Sequence, residues 1–116
     1  MTNQEAFNIV WQRFIVEKAP FGYDKEKHHC LYRHPDDPSI RCAVGACLPD
    51  ELYSPGMEKK PFTRLIQDYP DVAEFFSGCD IELLAEMQDA HDDYASTINY
   101  KFFKEELLVI SERYRL

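Results

Sequence analysis

Apolar residues recur at helical spacing at the start of the chain and again over its last third. Phe7, Val10, Trp11, Phe14 and Ile15 fall at i, i+3, i+4, i+7 and i+8, one apolar stripe on a first helix. Thr2 and Glu5 have the spacing of a capping box ahead of it. Pro20 and Gly22 are expected to end it. A second long helix is predicted from Asp80 to about Ala95, with Leu84, Met87, His91 and Ala95 on its inner side. Glu82, Glu86, Asp89 and Asp93 lie within about 60° of one another on the opposite side. A last helix, capped by Ser96, turns Phe103, Leu107, Ile110 and Tyr114 inward. Two shorter helices are predicted between, one capped by Thr63 and running through Gln67, the other capped by Asp71 with Glu74 over Val72 to Phe76.

The middle of the chain is patterned differently. Tyr23 to His29 is polar. Cys30-Leu31-Tyr32-Arg33 and Ile40-Arg41-Cys42 are predicted to pair as a small hairpin across the turn His34-Pro35-Asp36-Asp37-Pro38-Ser39. Such a hairpin is marginal alone and needs helices to pack on. The small residues from Cys42 to Leu48 suit a short buried helix or a tight turn, and Gly45 suggests close approach by another element. The expected fold is mostly α (α+β), one domain over residues 1–116, with three or four main helices around a short β-hairpin.

Charge adds to this picture. The formal net charge is −8. Residues 1–64 hold nine Lys and Arg against nine Asp and Glu; residues 65–116 hold four against twelve. No Lys or Arg occurs between Leu65 and Tyr100. This argues against direct nucleic-acid binding, which needs a basic patch, and favours a partner protein with a basic surface. No apolar run is long enough to span a bilayer, and Met1 to Glu5 lacks the marks of a signal peptide. The expectation is a soluble cytoplasmic protein with reduced thiols, in which a homo-oligomer is left open.

Four groups of residues carry candidate chemistry. Cys42 at a helix start and His91 on an inner face would suit a thiol nucleophile and its base, although no signature of a known thiol hydrolase surrounds Cys42. The plainer reading makes Cys42 a buried small hydrophobe and His91 a core residue. His28, His29, Cys30, Cys42 and Cys47 are candidate zinc ligands, but the Cys-x2-Cys knuckle is missing. Tyr32, Arg33, Arg41 and Tyr53 would suit a nucleotide or another phosphate-bearing metabolite. The acids Glu82, Glu86, Asp89 and Asp93 read either as a solvated face or as a docking surface. No phosphate-binding glycine loop or dinucleotide fingerprint is present, so the sequence implies no cofactor.

Four motifs point beyond this chain: Cys30-x-Tyr32-Arg33, Arg41-Cys42-Ala43-Val44-Gly45, Leu48-Pro49-Asp50-Glu51-x-Tyr53 and Leu84-x3-Gln88-x2-His91-Asp92. Over roughly residues 28–95 the chain resembles a family of small, largely uncharacterised proteins of tailed phages and bacteria. Ala46-Cys47 stands where that pattern often runs straight from Gly to a Cys-Leu pair. The resemblance implies a phage or mobile-element accessory protein, with a counter-defence or host-takeover role, and carries no activity with it. The reading preferred from sequence is therefore a small acidic, non-enzymatic binding protein that inhibits or regulates a host protein. The alternatives are a nucleotide-signal binder using Tyr32, Arg33, Arg41 and Tyr53, and a thiol hydrolase using Cys42 and His91.

Overall fold

The computed structural model describes every residue from Met1 to Leu116. The elements in order are α1 (Asn3–Trp11), a π turn (Gln12–Val16), β1 (Tyr23–Asp24), β2 (His29–Cys30), α2 (Ala43–Cys47), two 3-10 turns (Asp50–Leu52 and Pro55–Met57), α3 (Phe62–Asp68), α4 (Pro70–Phe75), α5 (Ile81–Ala95) and α6 (Tyr100–Tyr114). The mostly helical fold with one small hairpin is as the sequence predicts. No helix is long and apolar enough to cross a membrane.

α1 starts where the capping box places it. Thr2 Oγ1 accepts from Glu5 N at 3.1 Å, and Glu5 Oε1 accepts from Thr2 N at 3.0 Å. Phe7, Val10 and Phe14 are buried, while Trp11 and Ile15 flank the core partly covered. The helix does not run to Pro20. It widens into the π turn, where Glu17 N donates to Gln12 O, and Lys18 leaves it at φ 52°. This widening keeps Phe14 turned inward against Phe21 and Phe103, at centroid separations of 5.5 and 5.6 Å.

α5 is the element most others rest on. Leu83, Leu84, Met87, Gln88, Ala90, His91 and Ala95 are buried along it, a broader face than the four residues predicted. It packs on α6, α2, α1 and α3. Asp80 is its N-cap residue and ties its start to that of α1: Asp80 N donates to Asn3 Oδ1 at 2.7 Å, and Asn3 Nδ2 donates to Asp80 Oδ2 at 3.0 Å.

Several predicted caps belong to neighbouring residues. Asn99, not Ser96, caps α6, its side chain accepting from Phe102 N at 3.0 Å, while Ser96 ends α5. Phe103, Leu107 and Ile110 are buried on α6, but Tyr114 in its last turn is only partly covered. α3 starts at Pro61 and α4 at Pro70, so Thr63 and Asp71 sit inside first turns. Proline's fixed φ suits the start of a helix, where its missing N–H would have had no intrahelical partner.

The hairpin forms one segment earlier than predicted. Tyr23 pairs with Cys30 and Asp24 with His29, and the polar run between is the turn. Asp24 Oδ1 fixes that turn by accepting from Glu26 N and Lys27 N. The expected partners, 30–33 and 40–42, share only one backbone bond, Cys42 N to Leu31 O, and a second, His34 N to Ile40 O, closes the turn beside them. The amides of Tyr32 and Arg33 turn instead to the Glu58 carboxylate, at 3.1 and 3.0 Å. A carboxylate accepting two amide protons makes stronger bonds than a strand carbonyl, so the ladder stops there. Gly22 lies between the two segments, donating to Arg41 O and accepting from Leu31 N. A Cβ there would stand 2.3 Å from the Arg41 carbonyl carbon.

Gly45 makes the close approach that its neighbours suggest. A Cβ would lie 2.5 Å from Tyr32 O and 2.9 Å from Tyr32 Cα, both backbone atoms. Replacing a helical glycine by alanine ordinarily stabilises by about 1 kcal/mol. Here the clash should reverse the sign. Gly45→Ala is expected to lower the urea unfolding midpoint, with a loss of about 1–3 kcal/mol. A raised midpoint would mean that α2 and the Tyr32 backbone can separate at no cost.

Candidate functional site

Two surfaces and one buried cluster hold the residues singled out from sequence. The first surface is a concave cleft between the β1–β2 hairpin and the segment from Asp50 to Lys59, enclosing about 630 Å³. Arg33, Arg41 and Tyr53 line it; Tyr32 does not. Tyr32 is fully buried and its hydroxyl donates to Lys60 O at 2.6 Å, which places it beneath the site as support.

Arg33 is also committed to the fold. Its Nη1 donates to Tyr32 O (2.9 Å) and Gly45 O (2.7 Å), and its Nη2 to Leu48 O (2.6 Å) and Asp50 Oδ1 (3.0 Å). Its Nε donates to Asp50 Oδ1 at 3.2 Å. All five N–H donors are thus used, and the guanidinium is 5% exposed. Burial pulls its pKa down and nearby Arg41 adds to this, while Asp50 opposes both. Arg33 therefore contributes charge to the cleft but no free donor.

Arg41 is different. Its Nε donates to Pro38 O and one Nη2 proton goes to Asp50, which leaves Nη1 without a protein partner. Tyr53 lies beneath the Arg33 guanidinium at 5.0 Å, and its hydroxyl donates to Glu58 Oε2 at 2.6 Å. Burial raises its pKa, with the Glu58 bond acting in the same direction. Sequence reading passed over Glu58, Lys27, Lys59 and His34, because each lies in a stretch whose turn residues already explain it. A lone acid in a loop gives no sign that it will accept from two amides 25 residues away.

The buried cluster contains Cys42 and His91. Cys42 is the N-cap of α2, its Sγ accepting from Gly45 N at 3.4 Å. The thiol is fully buried, and burial pushes its pKa well up, with the neighbouring Cys30 thiol adding to this. It makes no hydrogen bond to His91. His91 Nδ1 instead meets Asp92 Oδ1 at 2.8 Å, and Gln88 Nε2 donates to the same oxygen at 2.9 Å. Gln88 Oε1 in turn accepts from Val44 N in the first turn of α2, at 2.9 Å. His91 Nε2 has no partner and the ring is wrapped by Phe14, Phe21 and Phe103. His91, Asp92 and Gln88 form a polar brace between α5 and α2. His28, His29, Cys30, Cys42 and Cys47 do not converge: no three His, Cys, Asp or Glu side chains are placed to hold a metal ion. The four cysteines are free thiols.

The second surface is the outer side of α5. Glu82, Asp89 and Asp93 are exposed there. Glu86 is not free, because Arg113 of α6 pairs with its Oε1. Partial burial raises the Asp89 pKa, and the charges of Asp92, Asp93 and Glu86 raise it further. Beside these acids α6 exposes Phe102 (48%) and Val109 (48%), and Tyr94 of α5 packs against Phe102.

Two outcomes test this geometry. In mildly alkaline buffer, iodoacetamide should label the half-buried Cys30 of the folded chain first, and Cys42 and Cys47 only on unfolding. Burial holds both thiols above their usual range, Cys47 at about 12. Rapid labelling of Cys42 in the native protein, read by peptide mass spectrometry, would restore it as a nucleophile. The second outcome concerns His91. Burial lowers its folded-state pKa, and Arg13 acts the same way, against the upward pull of Asp92. The unfolded chain therefore takes up the proton first, so this contribution is present above the ordinary imidazole value of 6.5 and is lost as pH falls below it. The stability advantage of wild type over His91→Gln should shrink as pH drops from about 7.5 to about 5.5, read by urea midpoints. An unchanged difference would mean that His91 does not titrate in this way. Compared with protein-family models, curated proteins and solved structures, the chain shows no significant match to any of them.

Proposed function

We propose that the chain is a small acidic binding protein that docks on a basic surface of another protein through the outer side of α5 and the adjoining apolar strip of α6. One observation carries the reading. Three exposed acids, Glu82, Asp89 and Asp93, face outward with no cation paired to them, beside the exposed Phe102 and Val109. Like charges at this spacing cost the free chain a few tenths of a kcal/mol per pair, approximately. A basic partner would turn that cost into attraction. An apolar centre with a charged rim is also the usual anatomy of a protein interface.

Within this reading the partner is a host protein and the chain a phage or mobile-element accessory protein with a regulatory or counter-defence role, as the resemblance of its motifs implies. Binding is stoichiometric and needs no chemistry from Cys42 or His91. Arg113 of α6 pairs with Glu86 and so leaves Glu82, Asp89 and Asp93 as the acids open to a partner.

The test uses a triple variant, Glu82→Gln with Asp89→Asn and Asp93→Asn, against a partner identified from host extract. The variant should unfold at an equal or higher urea midpoint, because repulsion is removed. Its affinity for the partner should fall at least about tenfold at low salt, and wild-type affinity should weaken as salt rises from about 50 to about 300 mM. Binding that ignores both salt and the three substitutions would reject this surface.

A further inference from the structure

The cleft beside the hairpin has the wrong charge for this molecule. The chain carries −8, yet the cleft is lined by four cationic side chains, Lys27, Arg33, Arg41 and Lys59, against three acids, Asp24, Asp50 and Glu58. Each acid is engaged from within, Asp24 and Asp50 through one carboxylate oxygen and Glu58 through both. Asp24 accepts two amide protons of its own turn, Asp50 binds both arginines at 3.0 Å, and Glu58 accepts from Tyr32 N, Arg33 N and the Tyr53 hydroxyl.

Arg33 is fully used, but the other three cations keep free donors. Lys27 and Lys59 enter no ion pair. Arg41 keeps Nη1 free on a side chain that is 22% exposed. His34 accepts from Asp36 N through Nδ1, so its proton sits on Nε2, a further donor. Lys59 is held at φ 69°, a left-handed conformation that a residue with a side chain adopts at some cost. The remaining lining is His29 and an apolar wall of Leu31, three prolines and the Tyr53 ring. A volume of about 630 Å³ falls in the range of small-molecule sites.

We infer that this cleft binds a small organic oxyanion, a phosphate monoester or a carboxylate, whose acid group meets Arg41, Lys27 and Lys59 while an apolar ring lies against the prolines and Tyr53. Four cations against three acids, with free donors on Arg41, Lys27 and Lys59, select an anion. The apolar walls select a body attached to it, so free inorganic phosphate should bind more weakly than its ring ester. Arg41 is the specificity residue, since its free edge can meet two oxygens at once. Asp50 is the internal competitor for that edge. This site is separate from the acidic face of α5 and stands whether or not that face docks a partner.

The experiment is a titration of the full chain followed by isothermal calorimetry and by amide chemical shifts, with four probes: phenyl phosphate, benzoate, inorganic phosphate and phenol. The expected result is saturable binding of phenyl phosphate or benzoate in the low-millimolar range or tighter, weaker binding of inorganic phosphate and none of phenol, with shifts centred on residues 27–41 and 50–60. Which of the two ring acids binds better decides between phosphate and carboxylate. Arg41→Gln should weaken binding at least tenfold. Because Arg41 also holds Asp50 and Pro38 O, the exposed pair Lys27→Gln with Lys59→Gln serves as the second variant, with at least a threefold loss expected in a chain that folds normally. Phenol binding as well as phenyl phosphate, no saturable binding of either acid, or unchanged affinity in the double lysine variant would overturn the assignment.

Discussion

Arg33 sends five hydrogen bonds inward from one planar group: two to the carbonyls of Tyr32 and Gly45, one to Leu48 and two to Asp50. Those carbonyls belong to two separate stretches. Gly45 lies in α2, Leu48 just beyond its end, and Tyr32 on the segment that leaves the hairpin. A helix end leaves carbonyls unpaired, and burying them unmet costs roughly 1–3 kcal/mol each. Only a guanidinium offers enough donors in one plane to meet several from different directions. Its positive charge is tolerable in the interior because Asp50 lies against it. The remaining features of the amino-terminal half follow. Tyr32 is pressed onto Gly45 so closely that no side chain fits, Glu58 takes the two amides next to the arginine, and Tyr53 lies beneath the guanidinium.

α5 joins that half to the rest. Its inner side carries a polar brace, from Val44 N through Gln88 to Asp92 and His91, set among aromatic rings. Its outer side carries acids. The two sides obey opposite rules. Inside, each polar group is valuable only while it is paired, and protonating His91 would place a charge among three phenylalanines. Outside, water screens the acids and their repulsion is cheap. One helix thus holds the core together and still presents a charged surface.

An acidic chain with a cationic cleft separates its charges by structure. Four of the nine basic residues of the first half gather in one concavity because the hairpin, the Pro35–Pro38 turn and the Pro55–Lys59 segment converge there. Five of the twelve acids of the second half lie along α5. The cleft and the helix face suit different partners, a small anion for one and a broad basic surface for the other, and salt weakens contacts at the exposed helix more than those within a walled cleft.

The local, periodic part of this protein was legible in the order of its residues. Thr2 and Glu5 cap α1 as their spacing requires, Asp80 opens α5, and the buried positions of α5 and α6 follow their apolar period, because caps and helix faces depend on neighbours within about four residues. Gly45 also announced a close approach, though not what approaches. Tertiary structure decided the rest. Asn99 rather than Ser96 caps α6, and the hairpin closes at Tyr23 and Cys30, since several local solutions differ by little and packing selects among them. Tyr32 and Arg33 left the list of ligand donors for the same reason. A side chain's residue type states which bonds it can make, and only the chain folded around it decides whether those bonds are already made. Arg33 and Arg41 look alike in sequence, eight positions apart. One is used up by carbonyls from across the fold, and the other keeps a free edge at the cleft.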